Sequence, residues 1–292
     1  MSKLIYCTTA LLLAAALAAC SPLSVLNAVS PAGAVQSSTA NRYGSDLRNM
    51  LDIYRPPAQA GKAPVIVFFY GGNWVSGDRA DYAFVGRALA ARGFVVVVPD
   101  YRLYPQVRYP DFLIDGAAAV AWAVREINRH GGDPENIFLM GHSAGAYNAA
   151  MLALDARWLG KEGLKPSLLR GWIGLAGPYD FLPVQNRTTR PVFDAPDTPA
   201  DSQPLRHVSA ASPPALLIAA RKDELVDPAR NTGGMAASLR ARQVPVRERY
   251  YDGVSHTTLV ASLSTSLKGL APTLAEVEAF VRGVDEAQAA SR

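Results

Sequence analysis

Two runs of unbroken apolar side chains, Val65-Ile66-Val67-Phe68-Phe69 and Phe94-Val95-Val96-Val97-Val98, give the clearest pattern in the chain. No polar position alternates with the apolar ones, so each run predicts a strand covered on both faces, as in a parallel sheet. Between them, Tyr82 to Arg92 has helical character and stops at Gly93, which suits a C-terminal cap. The pattern then repeats. Asp111 to Asn128 predicts a helix, Ile137 to Met140 a strand, and Tyr147 to Leu159 a helix. Further strands are predicted at Trp172 to Ala176, Ala215 to Ala220 and Val246 to Tyr250, and a last helix at Leu274 to Arg282. Strand and helix in alternation predict a three-layer α/β fold around a mostly parallel, doubly wound sheet. Ligands of such sheets sit beyond the carboxyl ends of the strands.

Two stretches break the alternation. Gln185 to Ser212 is rich in proline and poor in apolar runs, and predicts a small irregular cap on the ligand-binding face. Ser21 to about Asn41 is rich in Ser, Ala, Pro and Val with little charge, and reads as a tether over residues 20–42. The folded domain is expected over 43–284, with a C-terminal tail at 285–292. Roughly 240 residues suit a single α/β domain.

Before the tether come Lys3, an apolar stretch from Thr9 to Ala19, and Leu17-Ala18-Ala19-Cys20 followed by Ser21. The stretch is too short to span a bilayer and reads as an export signal over residues 1–19. Leu17 to Cys20 resembles the bacterial lipoprotein box, which implies acylation of Cys20 and attachment to a membrane surface. Ser21 after the cysteine implies an outer-membrane address facing the periplasm. Cleavage elsewhere, giving a soluble exported protein, is the alternative. The other cysteine, Cys7, lies inside the signal, so a mature chain has no disulfide pair and no cysteine metal site.

The chemistry concentrates at strand ends. Gly141-His142-Ser143-Ala144-Gly145 places Ser143 on a sharp turn from strand to helix, with glycines where the two backbones close on each other. Alone, this pattern also fits an ordinary turn. A serine hydroxyl needs a histidine base and a carboxylate to orient that base. Of the four histidines, His256 follows the last predicted strand, whereas His142 adjoins the serine, His130 precedes its strand and His207 lies in the irregular segment. Asp223 follows the run Ala215 to Ala220, with Glu224 and Asp227 as competing acids. The order serine, acid, histidine is that of the α/β-hydrolases. Tyr70-Gly71-Gly72-Asn73-Trp74 follows the first buried strand, so the amides of Gly72, Asn73 and Ala144 are assigned to an oxyanion hole. Trp74, Tyr179 and Phe181, with Phe193, are candidates for the substrate pocket.

These residues resemble the esterase and lipase branch of the α/β-hydrolases, a group similar to feruloyl and acetyl-xylan esterases with kynurenine formamidases as relatives. The resemblance spans about Leu51 to His256 and extends to Asp100-Tyr101-Arg102-Leu103-Tyr104-Pro105, Asp133-Pro134-Glu135-Asn136-Ile137 and Ser212-Pro213-Pro214-Ala215-Leu216-Leu217. It implies a serine carboxylesterase acting on short-chain or aromatic acyl esters, small or polysaccharide-linked, with no cofactor and no metal. Asp100 and Arg102 are expected in structural roles. Two positions depart from the family: Tyr70 stands for its usual histidine, and Ala219-Ala220 for its frequent His-Gly. A phenol cannot reproduce both imidazole nitrogens, which puts the support of the oxyanion loop in question. An amidase or formamidase with the same three residues, or a non-catalytic envelope lipoprotein, are the other readings. The net charge of +4 comes with scattered arginines, so no nucleic-acid partner is expected.

Overall fold

The computed structural model describes residues 22–57 and 61–289. The stretch read as an export signal, Cys7, Cys20 and Ser21 lie outside the described residues. Eight strands form one sheet: β1 (Gln36–Arg42), β2 (Met50–Arg55), β3 (Ala63–Phe69), β4 (Val95–Pro99), β5 (Gly132–His142), β6 (Leu169–Leu175), β7 (Ala215–Ala220) and β8 (Val246–Tyr251). Their spatial order is β1-β2-β4-β3-β5-β6-β7-β8, with β1, β2 and β4 antiparallel neighbours and the rest parallel. Central β3, β4 and β7 are buried at nearly every position, which is why their sequences are continuous apolar runs.

The helices are α1 (Pro22–Val29), α2 (Ala83–Ala90), α3 (Asp111–Glu126), α4 (Ala144–Leu154), α5 (Ala156–Gly160), α6 (Gly234–Ala241), α7 (His256–Ala261) and α8 (Thr273–Ala289). This is the mostly parallel three-layer arrangement that the alternation of elements implies. Gly93 ends α2 with a φ of +92°, a conformation that costs glycine nothing.

Two expectations about the ends of the chain need correction. The stretch read as a tether is largely built into the domain. Within it, α1 docks by Leu26, and Asn27 accepts from the Phe84 amide at 2.8 Å while donating to the Ala80 carbonyl at 2.7 Å. After α1, β1 pairs with β2 as an edge strand. An edge strand keeps one side in water, so Gln-Ser-Ser-Thr-Ala-Asn-Arg serves as well as an apolar run and carries no hydrophobic signature. At the other end, α8 continues to Ala289, through most of the expected tail.

The irregular segment folds as a string of short helical turns over the carboxyl ends of the strands. It buries Val192 and Phe193 against Trp74, Tyr109 and Tyr147, and the Tyr147 hydroxyl donates to the Ser202 carbonyl at 2.7 Å.

Candidate active site

Neighbouring strands decide which loops meet. Phe69 at the end of β3 pairs with Gly141 at the end of β5, so the loop after β3 stands beside the turn that carries Ser143. Likewise β7 pairs with β8, so the residues after each strand come together.

Ser143 sits at φ 54° and ψ −122°, a strained pairing for a non-glycine residue, and its amide donates to the Leu175 carbonyl at 2.9 Å. The turn is possible because a Cβ on Gly141 would lie 2.1 Å from the Gly145 carbonyl oxygen, and one on Gly145 would lie 2.0 Å from that of Phe69. The strain holds the hydroxyl out of the helix and toward His256. Ser143 Oγ donates to His256 Nε2 at 2.8 Å, and His256 Nδ1 donates to Asp223 Oδ2 at 2.7 Å. A carboxylate only accepts, so the proton resides on Nδ1 and leaves Nε2 as the acceptor facing the serine.

Asp223 is held from its other side as well, where Oδ1 accepts from the amides of Leu225 at 2.9 Å and Val226 at 3.0 Å. Burial pushes its pKa up, but the His256 hydrogen bond and charge together with these amides outweigh burial and hold it below the usual carboxylate range. The competing acids lie elsewhere. Asp227 caps the turn that follows, accepting from the amides of Ala229 and Arg230, and Glu224 is exposed.

His256 opens α7 behind a capping box. The Thr258 amide donates to Ser255 Oγ at 3.3 Å, and the Ser255 amide donates to Thr258 Oγ1 at 2.7 Å. Its carbonyl accepts from His142 Nε2 at 2.9 Å, and the two rings lie 4.9 Å apart. His142 therefore packs directly against the site. It is buried against His256, and burial, followed by the neighbouring imidazole, lowers its pKa to about 3. His130 lies beside Trp122 with the rings tilted at 37°, and His207 donates to the Asp201 carbonyl at 2.7 Å.

The loop after β3 holds three successive residues at positive φ, Gly72 at 130°, Asn73 at 52° and Trp74 at 58°. At Gly72 a Cβ would fall 2.1 Å from the Ser76 carbonyl oxygen, so this tight turn requires glycine. Asn73 and Ala144 border Ser143 in a cavity of about 220 Å³, and among the described residues neither amide donates to a protein acceptor. Tyr70 does not enter the cleft. It is fully buried beneath the loop, where its hydroxyl donates to Asp100 Oδ1 at 2.8 Å and accepts from Arg48 Nη2 at 2.8 Å. Arg48 Nη2 also donates to the Gly77 carbonyl at 2.8 Å, and Arg79 bridges Asp100 to Asp52. Where the family has histidine, this chain thus holds the loop from behind with a phenol wired into an ion network. Arg102 forms a two-pronged bond with Asp115, away from the serine.

Trp74 and Phe181 line the cavity together with Pro178, Val184 and Asn186. Tyr179 does not. Its ring is fully buried at 5.7 Å from Trp172 in an edge contact, and Gly174 and Gly177 leave it room, since a Cβ on either would lie 1.8 or 2.5 Å away. Its backbone is fixed by Asn231 Oδ1, which accepts from the Tyr179 amide at 2.7 Å and the Asp180 amide at 2.9 Å. Phe193 is buried behind Trp74, at 4.9 Å. Among the described residues no group of three or more His, Cys, Asp or Glu is placed to hold a metal ion.

Sequence reasoning did not single out Arg48, Asn231 or Leu23, which reaches a second cavity beside His256. Of the elements behind them, only the Ser255-His256-Thr257-Thr258 capping box leaves a local signature.

A mostly parallel sheet with a serine, histidine and aspartate joined by hydrogen bonds at its carboxyl edge defines the α/β-hydrolase class. Residues 51–233 match the BD-FAE family, well over half of the chain, and the protein belongs to that family. A probable isoprenylcysteine alpha-carbonyl methylesterase of Arabidopsis thaliana is 28% identical over 74% of this chain and 50% of its own length. Esterase LipC of Mycobacterium tuberculosis is 32% identical over 68% of this chain and 54% of its own. The chain thus spans about half the length of these curated relatives. A solved structure of inhibited esterase B from Lactobacillus rhamnosis superposes with a TM-score of 0.78 over 100% of this chain and 99% of its own, at 18% identity, a likeness of fold.

Proposed function

We propose that the protein is a serine carboxylesterase, and the observation that carries this reading is the unbroken hydrogen-bonded line from Asp223 through His256 to Ser143. His256 Nε2 takes the Ser143 proton as Oγ attacks the ester carbonyl. The developing oxyanion is held by the amides of Gly72, Asn73 and Ala144. His256 then hands the proton to the departing alkoxide, leaving an acyl-serine. Water, deprotonated by the same nitrogen, releases the acid. Asp223 keeps its charge and stabilises the imidazolium throughout.

The division of the cleft supports a modest acyl group. The leaving oxygen must lie beside His256, so the acyl part lies on the opposite side, in the cavity of about 220 Å³ walled by Trp74 and Phe181. Short-chain or aromatic acyl groups fit that wall. Hydrolysis of p-nitrophenyl esters from acetate to octanoate by the wild type, abolished in Ser143→Ala and reduced about 10⁴-fold in Asp223→Asn, is the expected result. A folded wild type inert toward the whole series overturns the reading.

We place this activity at the bacterial envelope, through acylation of Cys20, on the strength of the Leu17-Ala18-Ala19-Cys20 sequence. Metabolic labelling with a fatty acid that marks the wild type and not Cys20→Ala tests it.

A further inference from the structure

The large apolar side chains that stand in water are not spread evenly over the molecule. Among the described residues they are Val25, Val29, Leu47, Leu225 and Leu270. Leu47, 85% exposed, sits in the turn between β1 and β2. That turn lies at the carboxyl edge of the sheet, because the Asp100 amide, just past β4, donates to the carbonyl of Met50 at 2.8 Å. Leu225, 71% exposed, follows β7 and borders both cavities that meet at Ser143. Leu270 lies beside Gly253 of the loop after β8, the loop that leads into His256. Among the described residues, the turns at the opposite edge of the sheet carry none.

The other two belong to α1, Pro-Leu-Ser-Val-Leu-Asn-Ala-Val, a helix with no charged residue. Val25 and Val29 stand one turn apart on its outer face, while Leu26 is buried and Leu23 reaches the second cavity, of about 200 Å³, beside Ser143 and His256. A helix that borders water ordinarily turns a charged or polar face to it. This one is fixed all the same. Asn27 bonds the Ala80 carbonyl and the Phe84 amide, Arg87 donates to the carbonyls of Asn27 at 3.1 Å and Ser30 at 2.9 Å, and Ser266 donates to that of Val29 at 2.9 Å. The chain outside the described residues joins the helix at Pro22, so the reach of the backbone keeps Cys20 within about 11 Å of Leu23. Around Leu225 the charges offset one another. Arg221 pairs with Asp252 and Arg230 with Asp180, and exposed Lys222 and Arg187 match Glu224 and Asp227 in number.

We propose that the face around the mouth of the active site docks on a lipid bilayer, with α1, Leu47, Leu225 and Leu270 setting their apolar side chains into the headgroup boundary and Cys20 as the covalent tie. A lipid on the chain holds a protein at a membrane without fixing which face it presents. An uncharged helix and an apolar rim on one edge do fix it, since binding at such a boundary grows with the apolar area it buries. The cleft then opens toward the lipid, and esters that partition into the boundary reach Ser143 first. This inference rests on the acylation proposed for Cys20 and, for the substrate, on the esterase reading.

The full chain, produced in a bacterial host, is reconstituted in vesicles of phosphatidylethanolamine and phosphatidylglycerol that contain a lipid with a nitroxide on its headgroup. A fluorophore is placed on Glu224→Cys or on Lys62→Cys. Glu224 is exposed beside Leu225, and Lys62 is exposed just before β3, at the opposite edge of the sheet. The probe at Glu224→Cys is expected to lose most of its emission to the nitroxide, and the probe at Lys62→Cys to keep most of it. Val25→Asp and Leu47→Asp together, neither residue lining a cavity, should relieve the quenching at Glu224→Cys and leave hydrolysis of p-nitrophenyl acetate in solution unchanged. Circular dichroism and melting establish that the variants fold. Equal quenching at both positions, stronger quenching at Lys62→Cys, or quenching that survives Val25→Asp with Leu47→Asp overturns the proposal and leaves the esterase and anchoring readings standing. A chain that takes up no fatty acid and does not sediment with the vesicles overturns the proposal together with the anchoring reading. A wild type that docks as expected but is inert toward p-nitrophenyl acetate sustains the docking and overturns the esterase reading.

Discussion

The two loops that shape the cleft are backed by opposite kinds of chemistry. Behind the oxyanion loop lies a buried polar network in which Tyr70, Asp100, Arg48, Arg79 and Asp52 bind one another. Behind the acyl cavity lies an aromatic cluster in which Phe193 meets Trp74 at 4.9 Å, Phe181 at 5.2 Å and Tyr147 at 5.5 Å. Hydrogen bonds depend on direction, and the role proposed for this loop is to aim amides at a point, so directional support suits it. The cavity wall has only to hold a volume, and close packing does that without specifying angles. Trp74 joins the two, since its backbone belongs to the strained loop and its ring to the cluster, where its indole donates to Asn148 Oδ1 at 2.9 Å.

Substitutions on each side separate the two kinds of support. Phe193→Ala removes a fully buried ring, so urea unfolding should show a loss of about 3–5 kcal/mol, and KM should change across the acyl series while residual kcat follows the folded fraction. Tyr70→Phe keeps the ring and deletes the hydroxyl between Arg48 and Asp100. It should destabilise by about 1–3 kcal/mol, and kcat should fall roughly tenfold with little change in KM, short of the 10²–10³ lost with an oxyanion donor itself. An unaltered kcat in a folded Tyr70→Phe would mean that the polar network does not hold the loop in its working shape.

A third effect, seen only on acidification, belongs to His142, at the seam between serine and histidine. Its pKa in the folded state is about 3 against an ordinary 6.5, so between those values the unfolded chain binds a proton that the folded chain refuses. Stability contributed by the neutral ring is therefore full above pH 6.5 and falls on acidification toward 3, by up to about 1.4 kcal/mol per pH unit. His142→Gln keeps an N–H for the His256 carbonyl and removes the titration, so its unfolding midpoint should decline less than that of wild type between pH 6.5 and 4. Parallel declines would place the acid sensitivity elsewhere.

What the sequence discloses follows the physics of burial. Strands β3, β4 and β7 are covered on both faces and announce themselves as apolar runs, and the ends of β3 and β7 locate the loops that bear Gly72 and Asp223. The edge strand β1 faces water and is silent. Helix α1 is equally silent, because one buried leucine and one well-placed asparagine fix it where a stretch of small residues suggests slack chain. Tyr179 and Phe181 lie two positions apart and look alike in sequence. Tertiary packing alone sends the first beneath Trp172 and the second into the cavity. Tyr70 shows the same limit in another form, since its partners Arg48 and Asp100 stand 22 and 30 residues away and no local pattern links them.

The docking of α1 also fixes how far the domain could roam. Twenty-two residues of loose chain would let a domain wander on the order of 25 Å from its anchor. With α1 seated from Pro22, only Ser21 stands between the proposed lipid at Cys20 and the folded body, a span of at most about 7 Å. With the proposed lipid in place, a protein moored so closely would graze along a surface instead of swinging above it, and would meet its substrates by lateral travel within a thin layer. Its turnover should then respond to how crowded that layer is more than to what is dissolved in the fluid beyond.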